Sequence, residues 1–289
     1  NTTALSPTYT VMGTGTSDKW LMNGVKPNIA WAPALVSYDL TWEKIRTWNV
    51  GIDIGLFNNR LTGSFDYFIR NTNDMVGPSE KLPATLGIAV PPSNNTDLRT
   101  AGWELELMWK DRLQNGLNYS LRFTLADSRT KITRYSNPSG LIDSFYEGKY
   151  CGEIWGYEAN DLFLTNQEVD EYLREVDMSF FKPNKDWQRG DLKYIDSNGD
   201  GKIDPGSGTL KDHGDLKIIG NTTPRYSFGL NLHAGYKGFE VSALFQGVMK
   251  RDFPMAASTY LFSGDSNFFK EHLDYYNVYN PGAYLPRLT

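Results

Sequence analysis

Three times in this chain, two segments of alternating apolar and polar residues are joined by a short link, and long links separate the pairs. In "RTWNVGIDIGLF" (46–57), Trp48, Val50, Ile52, Ile54 and Leu56 share one face, and Thr47, Asn49, Gly51, Asp53 and Gly55 share the other. Successive side chains point to opposite sides of a strand, so a period of two describes a ribbon with two unlike surroundings. Asn58 and Asn59 follow, a pair that tolerates the positive φ of a hairpin turn. "RLTGSFDYFIR" (60–70) then repeats the pattern through Leu61, Phe65, Tyr67 and Ile69.

The second pair is "AGWELELMWK" (101–110) and "LNYSLRFTLADS" (117–128), with Trp103, Leu105, Leu107 and Trp109 in phase on the first and Tyr119, Leu121, Phe123 and Leu125 on the second. The third is "RYSFGLNLHAGY" (225–236) and "FEVSALFQGVMK" (239–250), joined at Lys237-Gly238. Within pairs the links are 58–59, 111–116 and 237–238; between and after them run 71–100, 129–224 and everything beyond 250. Structureless links of that length are uncommon in compact soluble domains. Outer-membrane barrels have this asymmetry, with short periplasmic turns and long extracellular loops.

Face chemistry agrees. Between strand ends the apolar phase carries no charge, and Trp48, Trp103, Trp109, Tyr119, Tyr226 and Tyr236 are placed to form an aromatic girdle. The other phase holds Asn49, Asp53, Asp66, Glu104, Glu106, Arg122, Asn231 and Glu240, which suit a water-filled lumen. The expected fold is all-β, a transmembrane antiparallel β-barrel segment with long extracellular loops. Six strands of about 11 residues each cannot enclose a large lumen, so further strands are required. A soluble β-sandwich explains the alternation equally well but not the loop asymmetry. No apolar run is long enough for a membrane helix, which says nothing against strands that cross. A net charge of −5 argues against nucleic acid as a partner. The lone Cys151 rules out an internal disulfide and reads as a small buried side chain.

Two stretches carry a family resemblance. "YDLTWEKIRTWNVGIDIGLFNNRLTGSFDYFIRNTNDMV" (38–76) resembles the later barrel strands of SusC/RagA-type TonB-dependent transporters. So does "GDLKYIDSNGDGKID" with "IIGNTTPRYSFGLNLHAGYKGFEVSALFQGVMKRDF" (218–253). The resemblance implies that residues 1–289 are a middle-to-late part of a barrel of about 22 strands, with plug and termini absent from this stretch. It implies a bacterial outer-membrane location and active, TonB-coupled import of large nutrients, oligosaccharides or peptides. It also implies a SusD-like surface lipoprotein as partner, the TonB complex as energy source and membrane lipid as surroundings.

Within the long connection 129–224, "DSNGDGKID" has the spacing of a calcium loop. Asp196, Asn198 and Asp200 occupy ligand positions one, three and five; Gly201 permits the sharp turn, Lys202 offers its backbone carbonyl, and Asp204 stands at nine. Position twelve is Ser207 instead of Glu, leaving Asp191, Asp212 or Asp215 as substitutes. The expectation is a structural Ca²⁺ that staples the extracellular connection; the bland alternative is a set of Asx turns that binds nothing.

"TNQEVDEYLREV" (165–176) predicts a short loop helix capped by Thr165 with Glu168. The aromatics Trp20, Trp31, Trp155, Tyr157, Trp187 and Tyr194 are expected to pack the loops rather than stack on sugars. His213, His233 and His272 lack metal-ligand spacing, no Gly-x-Ser-x-Gly nucleophile motif is present, and Glu104 with Glu106 read as charged wall. The chain is therefore expected not to be an enzyme. A passive porin-like channel and a secreted calcium-dependent carbohydrate-binding sandwich remain as alternatives.

Overall fold

A computed structural model describes residues 12–17, 19–30, 40–77, 91, 93–181, 186–254 and 270–287. Strands β1 (Thr14–Thr16) and β2 (Asn28–Ala30) form a small hairpin. The main element is a six-stranded antiparallel sheet. Its strands are β3 (Lys44–Leu56), β4 (Leu61–Met75), β5 (Thr96–Arg112), β6 (Asn118–Arg134), β11 (Arg225–Tyr236) and β12 (Phe239–Lys250). Their spatial order is β12-β11-β6-β5-β4-β3, so every strand lies beside its neighbour in sequence within this set. Among the described residues nothing pairs with the outer edges of β3 and β12, and the sheet does not close on itself.

The register puts the apolar residues in straight rows across the sheet. Ile52, Phe65, Leu105, Leu125 and Phe228 face one another in succession; Leu107, Phe123, Leu230 and Phe245 form the next row. This face is not the core of anything: Trp48 is 75%, Val50 73% and Ile52 61% exposed. Bare apolar area of that extent costs roughly 25 cal/mol per Å² in water. It belongs in hydrocarbon, and the sandwich alternative fails here because no second layer covers the rows among the described residues.

The turns explain the register. Phe57, Asn58 and Asn59 all have positive φ (55°, 57° and 60°), making a four-residue turn from 57 to 60 rather than the expected two. Asn-Asn supplies the residues that tolerate this region best after Gly. Lys237 and Gly238, at φ 47° and 87°, make the two-residue turn expected between Tyr236 and Phe239.

Strand length is where the sequence reading falls short. β5 and β6 each have 17 residues, not about 11. At about 3.3 Å per residue and a tilt near 40° they rise roughly 43 Å, against an apolar band of about 25 Å. The extra turns of the ladder stand outside the bilayer at the end that carries the long connections. The outward phase turns basic there: Lys44, Arg46, Arg99, Arg129 and Lys131 follow in phase beyond Trp48 and Trp103. The expected absence of charge fails on β6 from Asp127 outward, opposite Trp103.

The connection between β6 and β11 is a folded unit with its own core. β7 (Glu153–Gly156) pairs with β10 (Lys217–Asn221), and β8 (Ala159–Leu162) with β9 (Leu192–Tyr194). Helix α1 (Asn166–Glu175) starts where the sequence predicts, with Thr165 Oγ1 accepting from the Glu168 N–H at 3.1 Å. The Glu168 carboxylate reaches back to the Leu164 N–H at 3.0 Å. Phe163, Val169, Val176, Met178, Trp187 and Ile203 form the buried cluster, edged by Tyr157, Tyr172 and Tyr194. The loop aromatics thus pack as expected, except that Trp20 is 53% exposed and Trp31 lies outside the described residues. Cys151, expected to be buried, is half-buried where the root of this unit bonds to β6 through Cys151 N–H and Thr130 C=O. Burial raises its thiol pKa.

Candidate functional site

The face opposite the apolar rows is mainly polar, with Phe68, Met108, Leu244 and Val248 interspersed. Asp53, Ser64, Glu106, Thr124, Gly229 and Gln246 form one row; Gly51, Asp66, Glu104, Ala126 and Ser227 form the next. Asn49, Arg122 and Asn231 lie on the same side, as their phase requires. Arg122 Nη2 donates to Glu106 at 2.6 Å, and His233 Nδ1 meets Ser242 Oγ at 3.1 Å across the hairpin. Asp66 faces Glu104 directly and lies over Gly51, whose missing Cβ leaves its carboxylate the room. Charges so placed need water around them, because like charges directly opposed are otherwise destabilising. The wall presents groups suited to contact with water.

The acidic loop sits in the extracellular unit and is anchored by one side chain, Ile203, which is 0% exposed in the core. Ile203 N–H donates to Asp177 C=O at 2.9 Å, and Asp177 N–H to Gly201 C=O at 2.8 Å, tying the loop to the end of α1. Gly199 and Gly201 turn at φ 75° and 79°, a region L side chains avoid. Asp196 accepts from the N–H groups of Gly199 (2.6 Å) and Gly201 (2.8 Å), Asn198 from Asp200 (3.0 Å), and Asp200 from Lys202 (2.9 Å). Asp204 accepts from Gly206 at 2.7 Å.

Of the three substitutes for position twelve, the structure brings Asp212 to the end of the loop and Asp215 beneath it. Asp215, 1% exposed, accepts from Ser197 N–H at 2.7 Å and Asp204 N–H at 3.0 Å, spanning the loop from end to end. Asp191 pairs with Arg287 at 2.8 Å; Asp212 accepts from Ser207 N–H at 2.9 Å, and the Ser207 hydroxyl followed by that N–H lowers its pKa. The donors are hard oxygens of the kind calcium takes. Among the described residues no group of three or more His, Cys, Asp or Glu is spaced to hold a metal ion in this conformation. His213 lies against Trp155, ring centroids 5.5 Å apart, and the His272 side chain is outside the described set.

Glu168 gives the unit a pH dependence. The Leu164 N–H, and then Lys193 at 2.9 Å, lower its carboxyl pKa. A depressed folded pKa contributes stability above the unfolded value of about 4.3, lost as pH falls through the folded value. The protection factors of the α1 amides, corrected for the intrinsic pH dependence of exchange, are therefore expected to fall below that point. Glu168→Gln should flatten this response while leaving exchange in the six-stranded sheet unchanged.

Sequence reading missed two charged contacts: Asp127, on the outward phase opposite Trp103, paired with Arg225 in a two-pronged contact, and Arg134 bridging Asp97 (2.7 Å) and Asp74 (3.1 Å). Both sit at the extracellular strand ends, where underestimated lengths hid the cross-strand partners. The available signal was the continued alternation of "SRTKITR" beyond Asp127.

Comparison with known proteins agrees with this geometry. The family model described as TonB dependent receptor-like, beta-barrel, matches residues 2–285. A TonB-dependent receptor of Formosa agariphila is 25% identical over 262 residues, covering 86% of this chain and 24% of its own length. The TonB-dependent receptor SusC of Bacteroides thetaiotaomicron is 26% identical over 222 residues, covering 73% of this chain and 20% of its own length. The solved RagAB peptide transporter superposes with a TM-score of 0.67 at 18% identity, over 97% of this chain and 29% of that one. The chain thus spans about a quarter of the length of these relatives. With its apolar outward rows, mainly polar inner face and one-sided long connections, the chain belongs to the TonB-dependent receptor-like β-barrel family, as a segment of an outer-membrane barrel similar to SusC and RagAB.

Proposed function

We propose that the complete protein imports large nutrients, oligosaccharides or peptides, across the outer membrane with energy from TonB and a SusD-like surface lipoprotein as cap. The observation that carries the reading is the hydrated inner wall leading to a folded extracellular unit at one end only. A porous channel needs the wall but not a packed domain of some 90 residues above it. Two exposed aromatics support a partner: Tyr279 and Tyr284 stand 95% and 83% exposed on the segment that packs against this unit through Tyr276. Exposed aromatics of this kind are enriched in protein interfaces. The test is uptake of labelled oligosaccharides and peptides by the native strain and a tonB deletion. Uptake lost in the deletion supports active import; undiminished uptake favours a passive pore. Tyr279→Asp with Tyr284→Asp should release a co-purifying lipoprotein while the barrel still assembles.

We propose in addition that Ca²⁺ is held by Asp196, Asn198, Asp200, the Lys202 carbonyl and Asp204, with Asp215 closing the set. The ligand spacing and the buried Asp215 carboxylate support this reading. The ion would supply a structural cross-link between the loop and the unit's core. At calcium ten times a dissociation constant of about 10⁻⁴–10⁻³ M, the unit should gain roughly 1.4 kcal/mol. Calcium and chelator giving the same protease resistance of residues 135–224 would overturn the proposal; Asp196→Ala should abolish the difference.

A further inference from the structure

The lipid-facing surface has a basic notch at its extracellular rim. Arg99 on β5 and Lys131 on β6 are directly opposed across the ladder, both on the outward phase. Like charges so placed repel. Arg129 is two residues along the same face, opposite Ala101, whose small side chain leaves a gap in the row. Among the described residues, Arg99, Arg129 and Lys131 have no carboxylate partner; the one nearby carboxylate, Asp127, is held by Arg225. Tyr150, from the root of the extracellular unit, stands beside Lys131, and the Arg129 guanidinium lies 3.9 Å over its ring. Stacking fixes the guanidinium plane and leaves its N–H edge for another acceptor. These groups line an open cavity of about 360 Å³ whose lower wall is Tyr67 and Trp103.

The position identifies the occupant. Trp103 and Tyr67 face each other near the extracellular end of the apolar rows, one step before Trp48 and Ile69, at the level where aromatic side chains sit among lipid headgroups. The notch is one step of the ladder above them, on the outside of the wall, where solute in the lumen cannot reach it. We propose that it binds the phosphate of an outer-leaflet lipid headgroup, with Arg99, Arg129 and Lys131 sharing the anion. A phosphate between Arg99 and Lys131 turns their repulsion into two charge-assisted hydrogen bonds, and guanidinium groups match its oxygens in pairs. The hydrocarbon tails of the same molecule would then lie along the apolar rows below. Anchoring at this point would hold the root of the extracellular unit level with the membrane surface.

The test is native mass spectrometry of the complete barrel in dodecyl maltoside, with added bis-phosphorylated lipid A. Retention should fall about tenfold or more for Arg99→Gln with Lys131→Gln. It should fall similarly when the lipid's phosphates are removed, and millimolar inorganic phosphate should not displace the bound lipid. A Lys110→Gln variant, at the opposite end of β5, should retain lipid as the wild type does, and heat-modified electrophoresis should confirm that every variant folds. Equal retention by wild type and the folded double variant, or of phosphorylated and dephosphorylated lipid, would overturn the proposal. Displacement by inorganic phosphate alone would assign the notch to the free ion and overturn the lipid assignment.

Discussion

Phe123→Arg in the complete barrel is expected to lower folding stability by roughly 2–4 kcal/mol, whereas Tyr119→Arg, four residues away on the same strand and face, should cost about 0–1 kcal/mol. Phe123 lies between Leu107 and Leu230 in the middle of the apolar rows, and Tyr119 sits at their periplasmic edge, bonded to Trp109 Nε1 at 3.3 Å. The difference measures depth in hydrocarbon. Arg near the interface snorkels to water; Arg at the midplane drags its charge into a medium that cannot solvate it. Thr124→Arg provides the second axis. It points to the hydrated side beside Glu106, so its cost should be small despite equal depth. Urea titration of folding into lipid vesicles measures all three. Equal penalties at positions 119 and 123 would mean that this face contacts no bilayer.

How far the sequence foretold this geometry depends on how local each determinant is. Period-two patterning requires no knowledge of neighbours, and the apolar phases holding Phe65, Leu105 and Phe228 were legible strand by strand, though not the rows they form, as were the Lys237-Gly238 turn and the Thr165 cap. Strand ends were not legible. They are set by cross-strand partners such as Arg134 with Asp97, pairs separated by 37 residues that no local window connects. The same blindness hid the Arg99–Lys131 juxtaposition, which exists only once β5 and β6 are in register. At the acidic loop, ligand spacing was visible, but the choice among Asp191, Asp212 and Asp215 was made by distant contacts. Arg287 takes Asp191, Ser207 takes Asp212, and Asp215 is left to span the loop.

The extracellular unit should prove separable in stability from the sheet that carries it, and Phe163→Ala is the substitution that separates them. Phe163 is fully buried, stacks edge-on against Tyr172 at 5.6 Å, and donates and accepts backbone hydrogen bonds with Asp191 and Gly190. Truncating a buried Phe costs roughly 3–5 kcal/mol through lost transfer energy and the cavity left behind. The unit's buried cluster has few members, so a loss of that size should melt it locally. The sheet draws its stability from ladders and lipid contact that do not include Phe163. The expected result is rapid proteolysis between residues 135 and 224 while the barrel keeps its heat-modified gel mobility and still inserts. Ile203 belongs to the same cluster, so melting should also release the acidic loop and remove any protection that calcium confers. Cap binding should fail in this variant if the folded unit forms the docking surface, and persist if the lipoprotein is held elsewhere on the rim. A barrel that unfolds together with the unit would show instead that the two share one cooperative core.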